Sequence, residues 1–502
     1  MDKGNSYRDI GIPETVYENY IEDRIEQDLT IPDYQASARK VVECSARAVI
    51  LNKAVSSESV SLDGVCVWTL VYLSEEDELL HSLTCEKPFS ETFSGTGEGA
   101  LRYRIKTQNV LCKLQSPQRA ICKASLCIAL QIDGSRSKRL LAESADEQTQ
   151  FLRQDAQILS SVFQGEKEFK VTGEVPIKKT GEFQVCREKS EILLREIEAG
   201  EDKLTLRGVC KNQVMLLSKE RCEAECIESE TPFTQMIDMP GVQNGCRAHV
   251  RCTVNETQSS ILGEDKERSV LISSTVEAQA VVYCADEISL LSDAYHPVFE
   301  LETQSEPVEF FEDLLHLNIS QKMNEKIHLS TADISILYHH TECEIEKITA
   351  HDNMLILDGK LKVTFAYRQN DEIGCNEFSL PFQATKAVGG SFDKLKCEAQ
   401  AFVEDFNYII LSDTEIEISC TVHTALSVFV LREAKALSDM SMTERRHDQI
   451  LKTPLVLYYG TKGEQLWDIG KKYFVPISVL QENNELTEQI LPEDTLLFIS
   501  KH

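Results

Sequence analysis

Gly95-Thr96-Gly97-Glu98-Gly99 has the glycine density of a loop whose backbone N–H groups could close on a phosphate. It lacks the Lys-Ser/Thr ending of a nucleotide loop and no helical pattern follows it, so it is expected to be a hairpin loop. His339-His340 with Glu342 and Cys343 brings metal-ligand types together, but no second pair at zinc spacing completes a site, and a solvated stretch between strands is expected. Cys222 and Cys226, like Cys122 and Cys127, also lack a matching Cys/His pair and read as small buried hydrophobes in strands. There is no Gly-x-Ser-x-Gly and no recognisable triad, so the expectation is a protein that is not an enzyme, with neither metal nor cofactor.

The elements around these residues read as strands. Thr414-Glu415-Ile416-Glu417-Ile418-Ser419-Cys420-Thr421-Val422 alternates with period two, which buries one face of a sheet and wets the other. A weak internal repeat organises them. Leu62-Asp63-Gly64, Leu206-Arg207-Gly208 and Leu357-Asp358-Gly359 each end an alternating stretch, and Tyr72, Leu216 and Tyr367 follow eight residues after the glycines. Pro88-Phe89, Pro232-Phe233 and Pro381-Phe382 come 24, 24 and 22 residues after the same glycines. The expected architecture is mainly β and multidomain: tandem antiparallel units at 1–140, 150–297 and 306–438, then a small βααβ module at 455–502. The polar stretches Gly134 to Glu147, His296 to Val308 and Ser438 to Thr453 are expected to separate them.

In the last module, Leu455 to Tyr459 reads as a strand and Gly460 to Gly463 as a turn. Leu466, Ile469 and Tyr473 recur at helical spacing. Pro476 restarts the chain into a second short helix with Val479, Leu480 and Asn483, and Leu496 to Ile499 returns as a strand.

The composition restricts partners. A formal charge of −30 argues against nucleic-acid phosphates and anionic membranes as direct ligands. No window of about eighteen apolar residues exists to span a membrane. The acidic, polar start does not read as a signal peptide, so the expected compartment is the cytosol, with the 17 cysteines as reduced thiols.

Two resemblances sharpen this reading. The last module resembles the LysM family through Tyr458, Gly463, Leu466, Trp467, Ile469, Lys471, Tyr473, Leu480, Asn483 and Pro492. That resemblance implies a core of Trp467, Ile469, Tyr473, Leu480 and Asn483. It also implies a shallow glycan groove between Gly463, Glu464, Gln465, Leu466 and Ile490, Leu491, Pro492. Gly460, Glu464-Gln465 and Gly470 depart from the family pattern; Glu464 caps a helix less well than Asp, by about 1 kcal/mol, so that edge should be looser.

The repeats, anchored on Gly64, Gly208 and Gly359, resemble the SPOCS domain of Firmicute spore-coat-related proteins. Several such units followed by one LysM resemble, in layout, clostridial coat-morphogenesis proteins. This implies an assembly adaptor of the endospore coat, made in the mother-cell cytosol and held at the forespore surface. Its implied partner is a SpoIVA-like coat-basement ATPase, docked through the LysM surface. The alternative the module implies is binding to N-acetylglucosamine chains of peptidoglycan as a wall-associated protein.

Overall fold

The computed structural model describes residues 4–95, 97–263, 267–328, 334–351, 353–369, 372–390, 394–412, 414–445 and 455–500. Among the described residues, the strands before the C-terminal module come in three sets of six. The first set is β1 (Asn5–Thr30), β2 (Ala38–Val55), β3 (Ser59–Ser74), β4 (Leu80–Ser94), β5 (Ala100–Ser116) and β6 (Arg119–Ser144). The second is β7 (Gln150–Pro176), β8 (Phe183–Gly200), β9 (Lys203–Ser218), β10 (Ala224–Asp238), β11 (Arg247–Leu262) and β12 (Ser269–Tyr295). The third is β13 (Phe299–His328), β14 (Ile334–His351), β15 (Met354–Gln369), β16 (Glu372–Ala387), β17 (Lys394–Ser412) and β18 (Glu415–Arg445).

Each set folds the same way. Its second, third and fourth strands make a meander, in the orders β2-β3-β4, β8-β9-β10 and β14-β15-β16, and its first strand pairs with the last, which also pairs with the fifth. All pairings are antiparallel. The chain is a mainly β, multidomain protein.

The repeat read from the sequence is a cross-strand contact. Gly64 lies opposite Phe89, Gly208 opposite Phe233 and Gly359 opposite Phe382. A Cβ at these glycines would meet the Phe ring at 2.5, 3.1 and 2.5 Å. On the other flank it would meet the carbonyl oxygens of Val49, Leu193 and Glu344 at 2.2, 2.4 and 2.7 Å, where the neighbouring strand bulges. The prolines sit on the edge strands β4, β10 and β16, where a missing N–H need not break a ladder.

The end of β3, Trp68 to Ser74, is buried on both faces because two cores meet there. Trp68, Leu70 and Tyr72 face the core of their own unit. Val71 and Leu73 face a core to which all three units contribute, with Val42 and Leu80 from the first, Met215 and Leu217 from the second, and Tyr338, Ala366 and Ile373 from the third. A second three-way core gathers Ile10, Ile12 and Leu140, then Ile158, Ile288 and Leu290, then Val308, Phe310, Ala434 and Ala436.

That second core, with an adjoining cluster of Leu141, Leu291, Ala294, Leu437 and Met440, accounts for a difference from the sequence expectation. Gly134 to Ser144, Phe299 to Val308 and Ser438 to Arg445 belong to long strands rather than polar connections. Their apolar members are few but point inward at the junction, so average polarity hides them. Residues 446–453 of the third stretch lie outside the described residues.

Candidate docking module and the nodes that tie the units

The C-terminal module comprises β19 (Leu455–Gly460), α1 (Leu466–Tyr473), α2 (Ile477–Asn484) and β20 (Thr495–Ser500), with β19 and β20 antiparallel. Helix α1 ends at Phe474 and α2 at Glu485, each in the left-handed region with φ of 55° and 53°. Leu466, Ile469, Val475, Leu480, Leu491, Leu497 and Ile499 form the core, with Tyr458 and Tyr473 packed against it edge to face at 5.6 Å.

The two loops expected to flank a groove are sewn together. The Gly463 N–H donates to the Leu491 carbonyl at 2.8 Å, the Leu491 N–H to the Glu464 carbonyl at 2.9 Å, and the Leu466 N–H to the Gln489 carbonyl at 2.8 Å. Glu464 does not loosen this edge. Its carboxylate accepts from the Tyr458 hydroxyl at 2.5 Å and from the Thr461 N–H at 3.1 Å, closing the turn. That hydrogen bond pushes the Tyr458 phenol up to about 12. Leu466 and Leu491 are buried in the core, so the groove residues open to solvent are Gly463, Gln465, Ile490 and Pro492.

Two residues expected in the core lie elsewhere. Asn483 is exposed and donates to Ser500 Oγ at 2.8 Å. Its neighbour Asn484 has the structural role, donating to the Leu480 and Phe498 carbonyls at 2.9 Å each and accepting from the Phe498 N–H at 2.6 Å. Trp467 is buried against the second β unit. Its ring meets Tyr295 edge to face at 5.0 Å and its Nε1–H donates to Asp293 Oδ2 at 3.3 Å. Lys471 Nζ joins the same carboxylate at 2.5 Å, and the Tyr295 hydroxyl donates to the Val475 carbonyl at 2.8 Å. Gly470 allows this approach, since a Cβ there would lie 2.6 Å from the Tyr295 hydroxyl. The module is therefore seated on the end of β12, a contact no local pattern announces.

The outer face of the β19–β20 sheet is apolar and open. Leu455, Leu457 and Tyr459 are 50, 60 and 66% exposed, and Leu496 and Phe498 are 49 and 46% exposed. Leu457 pairs with Phe498 and Tyr459 with Leu496, which makes one continuous patch. The signal was in the sequence: Leu-Val-Leu-Tyr-Tyr is apolar at every position, where a half-buried strand would alternate.

Buried polar nodes tie the β units together. Glu43, Arg187 and Tyr338 each directly follow the same bulge in β2, β8 and β14. Equivalent positions thus supply a carboxylate, a guanidinium and a phenol that meet, with Arg187 Nη1 2.5 Å and the Tyr338 hydroxyl 2.7 Å from Glu43. Burial opposes ionisation of Glu43, but Arg187, His340 and the Tyr338 hydrogen bond outweigh it and hold the carboxyl below its ordinary range. A second node centres on Glu398 of the third unit, which accepts from Arg102 of the first at 3.0 Å and from Arg251 and His249 of the second at 2.6 and 3.1 Å. Burial is again outweighed, here by the His249 hydrogen bond and the charges of His249, Arg102 and Arg251, and the carboxyl is held far below its ordinary range.

His339, His340, Glu342 and Cys343 lie in β14, not in a solvated connection. His339 packs on Phe406 at 4.8 Å and Tyr408 at 5.7 Å, and burial, with the charge of His340, pulls its imidazole down to about 4. The Gly95 to Gly99 stretch links β4 to β5 with no helix after it, Thr96 lying outside the described residues. Cys246 and Cys284 form a disulfide, against the expectation of reduced thiols throughout; the other fifteen cysteines are free. No helix among the described residues is long and apolar enough to cross a membrane.

Neither the curated proteins nor the solved structures contain a match to this chain. Residues 183–262 and 334–411 match the family model described as SipL, SPOCS domain. These are β8 through β11 and β14 through β17, and the same four strands recur in the first unit as β2 through β5. The second and third β units are similar, over these four strands each, to the SPOCS domain.

Proposed function

We propose that this chain is a non-catalytic assembly adaptor of endospore coat morphogenesis, working in the mother-cell cytosol at the forespore surface. The SPOCS matches support the sporulation setting. We assign the βααβ module to the LysM family and give it the docking role, with a SpoIVA-like coat-basement ATPase as partner. The observation that carries the docking role is the apolar sheet face of Leu455, Leu457, Tyr459, Leu496 and Phe498. Exposed Leu, Tyr and Phe on a rigid two-stranded sheet suit the desolvated centre of a protein interface. Peptidoglycan binding draws on the loop residues Gly463, Gln465, Ile490 and Pro492, whose apolar neighbours Leu466 and Leu491 are committed to the core.

The test is retention of the purified ATPase by the full chain, compared with the Leu457→Lys, Phe498→Lys double variant and, separately, with binding to purified peptidoglycan. Loss of ATPase retention in the folded double variant is the expected result. Undiminished retention refutes the face assignment, and glycan binding without ATPase retention replaces the adaptor reading with a wall-associated one.

A further inference from the structure

Cys44, Cys112 and Cys122 converge at one spot in the first unit. Their three Sγ atoms lie within 4.8 Å of one another, with Cys122 to Cys112 at 3.1 Å and Cys44 to Cys122 at 3.5 Å. Cys112 and Cys122 are directly opposed on β5 and β6, while Cys44 comes from β2 in the other sheet of the unit. Cys122 is fully buried, and Cys44 and Cys112 keep partial access to solvent.

The fold does not demand thiols here. Cys44 directly follows Glu43 in its strand, as Glu188 follows Arg187 and His339 follows Tyr338 in the other units. Cys112 and Cys122 correspond in the same way to Thr257 with Ser274 and to Tyr408 with Ile418. The second unit carries Glu188, Thr257 and Ser274 at these positions, and the third a His339–Tyr408 ring contact. Three sulfurs in the first unit are a departure from two workable alternatives.

We propose that Cys44, Cys112 and Cys122 form a trithiolate site for a thiophilic d10 metal ion, Zn(II) or Cu(I). A metal–sulfur bond of about 2.3 Å places three ligands in a plane at sulfur separations of about 4.0 Å, so the thiols need only open by less than about 1 Å. Soft thiolate sets select these ions over harder ones. On binding, each S–H bond is replaced by an S–metal bond and the released protons pass to solvent. The bound ion would clamp the two sheets of the first unit together.

The experiment titrates the fully reduced full-length chain with Zn(II), and separately with Cu(I), against a chelator of known affinity. It also maps iodoacetamide alkylation by mass spectrometry with and without each ion. The expected result is one tight equivalent that is lost in Cys44→Ser and in Cys112→Ser but kept in Cys66→Ser. In the unsubstituted chain, alkylation of Cys44 and Cys112 should slow by roughly tenfold or more, because a metal-bound thiolate is a poor nucleophile. Equal stoichiometry in all variants, or unchanged alkylation of Cys44 and Cys112 with either ion, overturns the proposal. So does a Cys112–Cys122 disulfide that, once reduced, takes up neither ion. The alkylation arm needs no substitution, so a variant that fails to fold leaves the test intact.

Discussion

Trp467→Ala should free the C-terminal module from the second β unit without unfolding it. Two specific terms are lost: the edge-to-face contact with Tyr295, about 0.5–1.5 kcal/mol, and the hydrogen bond to the Asp293 carboxylate, about 1.5–3 kcal/mol. With the loss of burial, truncating this Trp should cost about 3–5 kcal/mol, roughly a hundred- to several-thousandfold in the docked-to-undocked ratio. What remains is modest. The Lys471–Asp293 pair is partly exposed and contributes under about 1 kcal/mol, and the Tyr295 hydroxyl to Val475 carbonyl hydrogen bond adds about 1 kcal/mol. The module's own core does not include Trp467, so its internal stability should persist. Hydrogen–deuterium exchange by mass spectrometry separates the two effects. Peptides covering Ser292 to Tyr295 should lose protection, while those covering β19 and β20 keep it. Loss of protection across β19 and β20 would refute this reading and return Trp467 to the module's core. Unchanged exchange at Tyr295 would refute the docked arrangement.

The repeat glycines should be intolerant of any side chain: Gly64→Ala, Gly208→Ala and Gly359→Ala each place a Cβ within 2.7 Å of a carbonyl oxygen, and a loss of about 2 kcal/mol or more is expected in each. Gly463→Ala, with φ of 89° but open space around it, should cost only about 1 kcal/mol, and equal Tm shifts for all four would count against the packing argument. His339 makes stability pH-dependent. Its folded pKa of about 4 lies below the unfolded value of about 6.5, so its contribution is complete above pH ~6.5 and is lost as pH falls towards 4, where the unfolded chain binds the extra proton. The full effect is about 3 kcal/mol, and His339→Phe, packed against Phe406, Phe365 and Tyr408, should flatten the stability profile between those limits by that amount. An identical pH slope of urea unfolding in the variant would exclude His339 as the source.

What the sequence disclosed and what it hid divide along the range of the interactions. Gly64 and Phe89 are partners on adjacent strands joined by a short turn, so their spacing is fixed by the hairpin and survives in the sequence as a repeat. The spacing falls from 24 to 22 residues in the third copy because the β15–β16 ladder gains a pair and its turn is shorter. Alternation likewise exposes which residues of β15 and β18 are buried, but it carries no information about what buries them. For that reason Trp467 passes for a core residue of its own module when it is seated on Tyr295, and the inward residues of β1, β6 and their equivalents pass for parts of a polar boundary. The histidine pair passes for a solvated stretch for the same reason, since the rings packed on His339 come from β15 and β17.

The polar nodes give the boundary question a physical answer. Glu43, Arg187 and Tyr338 occupy one structural position three times over, yet no two are chemically alike. Within the assembled junction, truncating Arg187 leaves the Glu43 carboxylate buried without its cation, at a cost of about 3–5 kcal/mol. The Glu398 node repeats the arrangement with two arginines and a histidine drawn from the other units. Divergence among the copies has therefore made their differences complementary, so a repeat that looks like duplication in sequence functions in the fold as three unlike parts of one junction. The open apolar face of the C-terminal module is thereby presented from a base held by three units, because the Tyr295 and Asp293 that seat Trp467 lie on the β12 strand that also supplies Ile288 and Leu290 to the shared core.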